Sequence, residues 1–304
     1  MYRAQLRWQP IAILIVLAMI WGANMAFIKI AARELPSLFM AAFRSLVAGL
    51  CLFVWMKVRG IPLFPSRNVF FHGVVVGILF GAEFALIYVG LEYTLASRTY
   101  VLVFTAPFFV ALGAHFLLRD DRLNAWKSMG LILAFSGVVV LFLKDLGPFS
   151  LSTLPGDLMA LGAGALWGAT TIYLKKYLSY RTLPLQTLFY QVLFSVPLLL
   201  AMSLVLEDLP ATVLSPAAGF SLFYQCIIVA FLSYLAWFEL IHRFPVSLLH
   251  AFSFFTPVFG VFLSGALMLG EIVSPALMAA LVLVCLGMIL VNRQPASKTS
   301  GGQT

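Results

Sequence analysis

Two ionisable side chains stand deep in apolar stretches of this sequence: Glu83 in the run 69–92 and Arg44 in the run 36–57. An ionised group in such surroundings is expensive, on the order of 2.5–3.5 kcal/mol even on insertion scales. Each therefore needs a partner, water or, for the carboxylate, a proton. Glu83 can bind a cationic group or exchange a proton, which makes it a proton-coupling candidate; it can equally tie helices together by hydrogen bonding. Arg44 offers guanidinium geometry suited to a substrate carboxylate. It can also serve as a structural partner, or reach the outer interface on its long stem.

Trp21 and Trp167 lie well inside apolar runs, away from the headgroup belts where tryptophan collects. They are candidate cavity walls, able to stack on flat or cationic solutes, or wedges packed beside Gly22 and Gly168. Asn24, Thr170, Tyr190 and Tyr234 add polar atoms to such runs, as do Thr171, Gln191 and Gln225. Cross-helix hydrogen bonds can satisfy each of them singly; together they describe a polar and aromatic cavity suited to an amphipathic metabolite. Pro107 and Pro257 each remove a backbone donor and permit a kink, which makes them hinge candidates. His115 and His250 have no carboxylate neighbours in sequence and read as packed residues.

An integral membrane enzyme finds little support. The sequence contains no His-Glu-x-x-His, Gly-x-Ser-x-Gly or Walker loop, and a single deep carboxylate does not make an acid/base pair. Cys51, Cys226 and Cys285 lack the spacing of a metal site or a disulfide framework. No cofactor and no metal are expected. A channel is disfavoured by the absence of a charged ring or a carbonyl-filter segment.

The elements that position these residues follow from composition. With 62% hydrophobic and 10% charged residues, the chain has the bilayer, not water, as its main solvent. Apolar runs near 10–32, 36–57, 69–92, 97–118, 125–143, 156–176, 184–206, 217–241, 247–269 and 275–292 predict an all-α membrane protein of ten transmembrane helices. The net charge of +8 points to topology, with no nucleic acid as partner. Counted along this path, fourteen basic residues, Arg3, Arg7 and Lys298 among them, fall on one side. Four fall on the other, and Arg44 lies within a helix. The positive-inside bias then puts both termini in the cytoplasm. Connections are short, and the Ser/Gly-rich tail 295–304 is expected to be disordered.

The chain also repeats itself. A shift of 146 lays Trp21-Gly22-Ala23-Asn24 on Trp167-Gly168-Ala169-Thr170 and Lys29 on Lys175; a shift of 150 brings Pro107 to Pro257, Asp121 to Glu271 and Gly137 to Gly287. The predicted domains are a first five-helix repeat, 1–145, and a second, 146–294. Five spans is an odd number, so the copies enter the membrane from opposite sides. Two inverted repeats can exchange conformations around a midplane site, the geometry that alternating access requires. Both copies lie in one chain, so a monomer could work alone.

The paired Trp-Gly segments, Phe43-Arg44, and Thr256-Pro257-Val258-Phe259 followed by Gly270-Glu271 resemble the drug/metabolite transporter superfamily in its ten-helix EamA-type branch. The resemblance spans nearly the whole chain. It implies a secondary carrier of the cell inner membrane that exports amino acids, other small metabolites or toxic compounds from a central cavity. The sequence departs from the family pattern mildly, with Ala106-Pro107-Phe108 opposite Thr256-Pro257-Val258 and with Asp120-Asp121-Arg122 at the first-half turn. If the prolines flank a moving gate, Pro257→Ala will slow transport in reconstituted vesicles; an unchanged rate removes the hinge role.

Overall fold

The computed structural model describes residues 6, 8–147, 150–208, 214–263 and 274–293. Arg3, Arg7, Gly270, Glu271, Lys298 and the tail 295–304 lie outside the described residues. The described chain is helical, without strands: α1 (Trp8–Ala31), α2 (Ser37–Val58), α3 (Arg67–Gly90), α4 (Ala96–Val103), α5 (Ala106–Leu117), α6 (Ala125–Phe142), α7 (Leu154–Tyr177), α8 (Pro184–Leu206), α9 (Pro216–Phe223), a π-helical stretch Tyr224–Ser233, α10 (Tyr234–Arg243), α11 (Val246–Ala251), a 3₁₀ turn Phe252–Phe254, α12 (Phe255–Val261) and α13 (Pro275–Val291). Among the described residues, seven helical stretches are long and apolar enough to cross a membrane, and two shorter apolar ones cover Val246–Val261 and Pro275–Val291. The flanks of the bundle carry exposed apolar side chains such as Val54, Phe71, Ile132, Val205 and Ile289, a surface that matches lipid rather than water.

The helices are not uniform rods. The stretch Ala96–Leu117 is interrupted at Phe104–Thr105, and Pro107 opens its second part, α5. The stretch Val246–Val261 is interrupted by the 3₁₀ turn Phe252–Phe254, just before Pro257. Both prolines thus lie in the first turn of the second half of a broken helix, where a missing donor costs least.

Packing relies on backbones that approach closely, as expected where apolar lipid gives helices little hydrophobic reason to associate. Gly22 of α1 sits against Gly260, Thr256 and Phe259 of α12, and Gly168 of α7 against Phe109 and Val110 of α5. Gly137 of α6 meets Ala280 and Val284 of α13, while Gly287 of α13 meets Gly130 and Ala134 of α6. Gly73, Gly77 and Gly81 form a stripe on α3 that receives Tyr190, Phe194 and Leu198 of α8. Glu83 projects from α3 away from that stripe, since two residues turn a helix by about 200°.

Polar clasps close the helix ends. Glu207 accepts from the Leu38 and Phe39 amides at 2.7 and 2.9 Å, capping α2. Glu34 accepts from Ser215 through N at 2.8 Å and Oγ at 2.5 Å, at the start of α9. The Ser215 hydroxyl and amide hold the Glu34 carboxyl below its ordinary value, because hydrogen bonds to the charged form favour it. A Cβ at Gly287 would lie 2.6 Å from the Gly130 carbonyl oxygen, whereas one at Gly219 would meet nothing within 4 Å. Gly287→Ala is therefore expected to cost about 1–3 kcal/mol by overpacking, read as a lower melting temperature in detergent. Gly219→Ala is expected to leave the melting temperature unchanged or slightly raised, and equal effects of the two would show that the α6–α13 contact is not tight.

Candidate functional site

One cavity of about 410 Å³ collects most of the chemistry-bearing residues. Its walls are helical stripes at spacings of three and four. On α1 the stripe runs Trp21, Asn24, Met25, Ile28 and Lys29, with Ala32 just past its end; on α3 it runs Phe80, Glu83, Phe84, Ile87 and Tyr88, with Leu91 just past its end. Arg44 of α2, Thr99 and Tyr100 of α4, Trp167, Thr170 and Thr171 of α7, Gln191 of α8, and Tyr234 and Trp237 of α10 complete it. The site is assembled from many helices, so no single segment carries a recognisable motif.

Arg44 and Glu83 both face this cavity and are both buried, at 2% and 5% exposure. The Arg44 guanidinium carbon stands 4.2 Å above the Phe84 ring, a cation–π contact in a sheltered place. Its electrostatic neighbours are Tyr234, Tyr88, Cys226 and Glu83. Neither Arg44 Nε and Nη2 nor Glu83 Oε2 has a hydrogen-bond partner, and the same holds for Asn24 Oδ1 and Thr256 Oγ1 on the cavity wall. Arg44 is therefore not extended to the outer interface; it points into the interior beside an acid.

Trp21 donates from Nε1 to Ser233 Oγ at 2.9 Å and meets Tyr234 and Trp237 edge-on at centroid distances of 6.1 and 5.3 Å. Ser233 ends the π-helical stretch, whose Tyr224 hydroxyl donates to the Ile20 carbonyl at 3.0 Å. Ten residues in π geometry are unusual, and such segments concentrate at functional sites; nothing in the sequence signals it. Trp167 lies edge-on to Phe104 at 6.0 Å and to His250 at 5.3 Å. His250, fully buried, also meets Trp237 at 5.1 Å and pairs through Nε2 with Thr171 Oγ1 at 3.0 Å. It forms the underside of the cavity floor.

Tyr190, expected among the cavity residues, is a correction. It lies off the cavity on the α3-facing side of α8, fully buried against Gly73, and its hydroxyl donates to the Leu63 carbonyl at 2.7 Å. Its neighbour Gln191, one residue on and about 100° round the helix, lines the cavity instead. Lys29, Met25, Phe80, Tyr88, Tyr100 and Trp237 belong to the wall but were not singled out from sequence. The three-and-four spacing from Trp21 and Glu83 is the signal that could have found the α1 and α3 members.

The two ends of the cavity differ. Ala32, Ser37, Leu91 and Ala96, at the turns joining α1 to α2 and α3 to α4, line one end. Toward the other end the lining stops at Leu174 and Ile241. Beyond it, Asp121 accepts from the Ser247 amide at 2.8 Å and from its hydroxyl, and Lys127 Nζ lies 2.8 Å from Asp121 Oδ1 and 3.1 Å from Ser247 Oγ. Lys175 donates to the Ile241 carbonyl and, at 3.2 Å, to that of Phe244. Asp121, only 3% exposed, thereby ties the α5–α6 turn to the start of α11.

Comparison with known proteins agrees with this architecture. The EamA-like transporter family matches the chain twice, over residues 9–143 and 154–293. A probable amino-acid metabolite efflux pump of Escherichia coli (strain K12) is 24% identical over 288 residues, covering 92% of this chain and 93% of that protein. The uncharacterized transporter YoaV of Bacillus subtilis (strain 168) is 23% identical over 278 residues, covering 91% and 94%. A solved crystal structure shares the fold with a TM-score of 0.79 and 19% identity, over 94% of this chain and 99% of that one. With matches over nearly its whole length, and with apolar helices around a buried polar and aromatic cavity, the chain belongs to the EamA-like transporter family of multi-pass membrane proteins.

Proposed function

We propose that this transporter is an inner-membrane secondary carrier that exports amino acids or similar small metabolites by alternating access, with ten spans arranged as two inverted repeats, 1–145 and 146–294, and both termini cytoplasmic. The observation that carries the reading is a cavity lined out to the helix turns at one end and backed by the Asp121–Ser247–Lys127 cluster at the other. In the proposed orientation this is an outward-facing state.

The close contacts support the repeat. Gly22 meets Phe259 and Gly260, and Gly168 meets Phe109 and Val110; the two sets of partners are related by the same offset of 150 that aligns Pro107 with Pro257. Gly137 on Ala280 and Gly130 on Gly287 are related by that offset as well. The double family match and the efflux-pump relatives support an exporter. The aromatic lining also suits bulkier toxic compounds, a second reading that a panel of metabolites and drugs tested for counterflow in proteoliposomes separates from the first. Saturable counterflow distinguishes a carrier from a channel, and product formation would reveal an enzyme.

Pro107 and Pro257, each in the first turn of the second half of a broken helix, act in this reading as the hinges. Opening the inner side requires breaking the Asp121 cluster. Losing such buried hydrogen bonds costs about 1–3 kcal/mol, so Asp121→Ala is expected to move the population toward the inward-open state by roughly tenfold. The measure is labelling of Thr170→Cys, in a background without native cysteines, by an impermeant thiol reagent from the cytoplasmic face of inverted vesicles. Equal labelling with and without Asp121 would remove the cluster from the gate.

Glu83 is the proton-coupling residue of this scheme, since it is the carboxylate that faces the cavity. In proteoliposomes at saturating substrate, a proton gradient is expected to accelerate uphill transport by the natural protein. Glu83→Gln is expected to lose that acceleration, leaving a rate independent of the gradient; normal acceleration at every pH would end the proton-coupling role.

A further inference from the structure

Of the charged residues that line the cavity, Lys29 is exposed, whereas Glu83 and Arg44, on neighbouring helices, are each nine-tenths or more buried and each have polar atoms that no protein group satisfies. Three ion pairs occur among the described residues, Arg98–Asp157, Lys127–Asp121 and Arg243–Glu239; Arg44 and Glu83 do not form a fourth. Buried charges are normally paired with each other or with a ligand. Two opposite charges that share a cavity but leave Nε, Nη2 and Oε2 unbonded are arranged to receive something between them.

We infer that Arg44 and Glu83 form a two-point clamp for a zwitterion: the guanidinium receives a carboxylate, the glutamate receives an ammonium, and the aromatic wall receives an apolar side chain. This rests on the carrier reading above and narrows its substrate class. A planar guanidinium presents two parallel N–H donors to a carboxylate, and Nε and Nη2 are the edge of Arg44 left open. The Phe84 ring below the guanidinium holds its plane. For the side chain, Trp21, Phe80, Tyr100 and Trp167 supply broad apolar faces, and about 410 Å³ is enough for a solute the size of phenylalanine or leucine. Asn24 Oδ1 and Thr256 Oγ1 remain as neutral polar atoms on the same wall, able to take further ammonium or water hydrogen bonds.

The clamp discriminates by desolvation. A ligand with only one of the two charges leaves the other protein charge buried and unpaired, and sites built on buried polar complementarity reject such analogues strongly. Glu83 would then serve two occupants in turn, the substrate ammonium on the way out and a proton on the return.

The test uses two matched series: phenylalanine with phenethylamine and 3-phenylpropionate, and leucine with isoamylamine and 4-methylpentanoate. Binding to the purified full-length protein in detergent is read as the ligand-induced rise in melting temperature, which does not require the carrier to cycle. Transport is read as counterflow in proteoliposomes. The natural protein is expected to prefer each zwitterion to its amine and its acid by at least about tenfold. Glu83→Gln should abolish the preference over the acid while keeping that over the amine, and Arg44→Gln should do the reverse. Arg44→Lys should restore part of the affinity without the geometric fit. Equal binding of zwitterion, amine and acid by the natural protein overturns the clamp, as does an unchanged preference in both variants. If none of the six binds while another solute of the metabolite panel shows counterflow, the clamp fails and the carrier reading stands. If no solute shows counterflow, the carrier reading itself fails.

Discussion

A single Cβ at Gly22 would lie 2.6 Å from the Gly260 nitrogen, and one at Gly168 would lie 2.7 Å from the Phe109 Cβ. These two approaches fix α1 against α12 and α7 against α5, and the rest of the arrangement depends on them. Each glycine follows a tryptophan, and successive residues on a helix point about 100° apart. When the glycine is pressed onto a partner backbone, its neighbour is turned toward the cavity. The Trp-Gly pair is therefore one device with two outputs: tight packing on one face and an aromatic wall on the next.

That packing makes a cavity, and the cavity makes the cost of its charges tolerable. In lipid or a dry core, Arg44 and Glu83 would have to pair closely or neutralise. Here both border a space large enough for a solute, and the aromatic groups around them shelter the charges while Arg44 Nε and Nη2 and Glu83 Oε2 stay unbonded. The clasps at Glu34 and Glu207 work differently: they meet amide and hydroxyl donors at helix starts, where a carboxylate is favoured by the local dipole. Glu34 and Glu207 are thus held by backbone and serine donors, whereas Glu83 within the cavity has an oxygen with no partner.

Much of this was legible in the sequence. Glu83 stands out because a carboxylate in an apolar run is costly, and two residues past Gly81 put it about 200° round α3 from the stripe that meets α8. The ends of α1, α2 and α3 fall within two residues of the apolar runs read for them, because charged and Pro/Gly breaks mark where the chain leaves the apolar environment. Tyr190 and Gln191 show the limit: both are polar residues on one helix face or the next, and only the packing of α8 against α3 decides which meets the cavity. Periodicity assigns residues to a face but does not say which neighbour that face has. The π-helical stretch was illegible for a related reason. Its two ends, Tyr224 and Ser233, are bonded across to α1, and no breaker in Tyr224–Ser233 marks it.

The short helix α11 connects the Asp121 cluster to the cavity. Ser247, near its start, is held by Asp121 and Lys127, and His250, one turn later, lies between Trp167 and Trp237 and is bonded to Thr171. Six residues of helix span only about 9 Å, so the closing cluster and the cavity floor sit on one rigid piece. A solute that displaces either indole must press on His250, and His250 cannot move without carrying Ser247. The 3₁₀ turn Phe252–Phe254 separates this piece from α12, which packs on α1 through Gly22. In the proposed cycle, occupancy of the cavity and closure of the inner side are thus read by the same element, and no long-range pathway is needed to couple them.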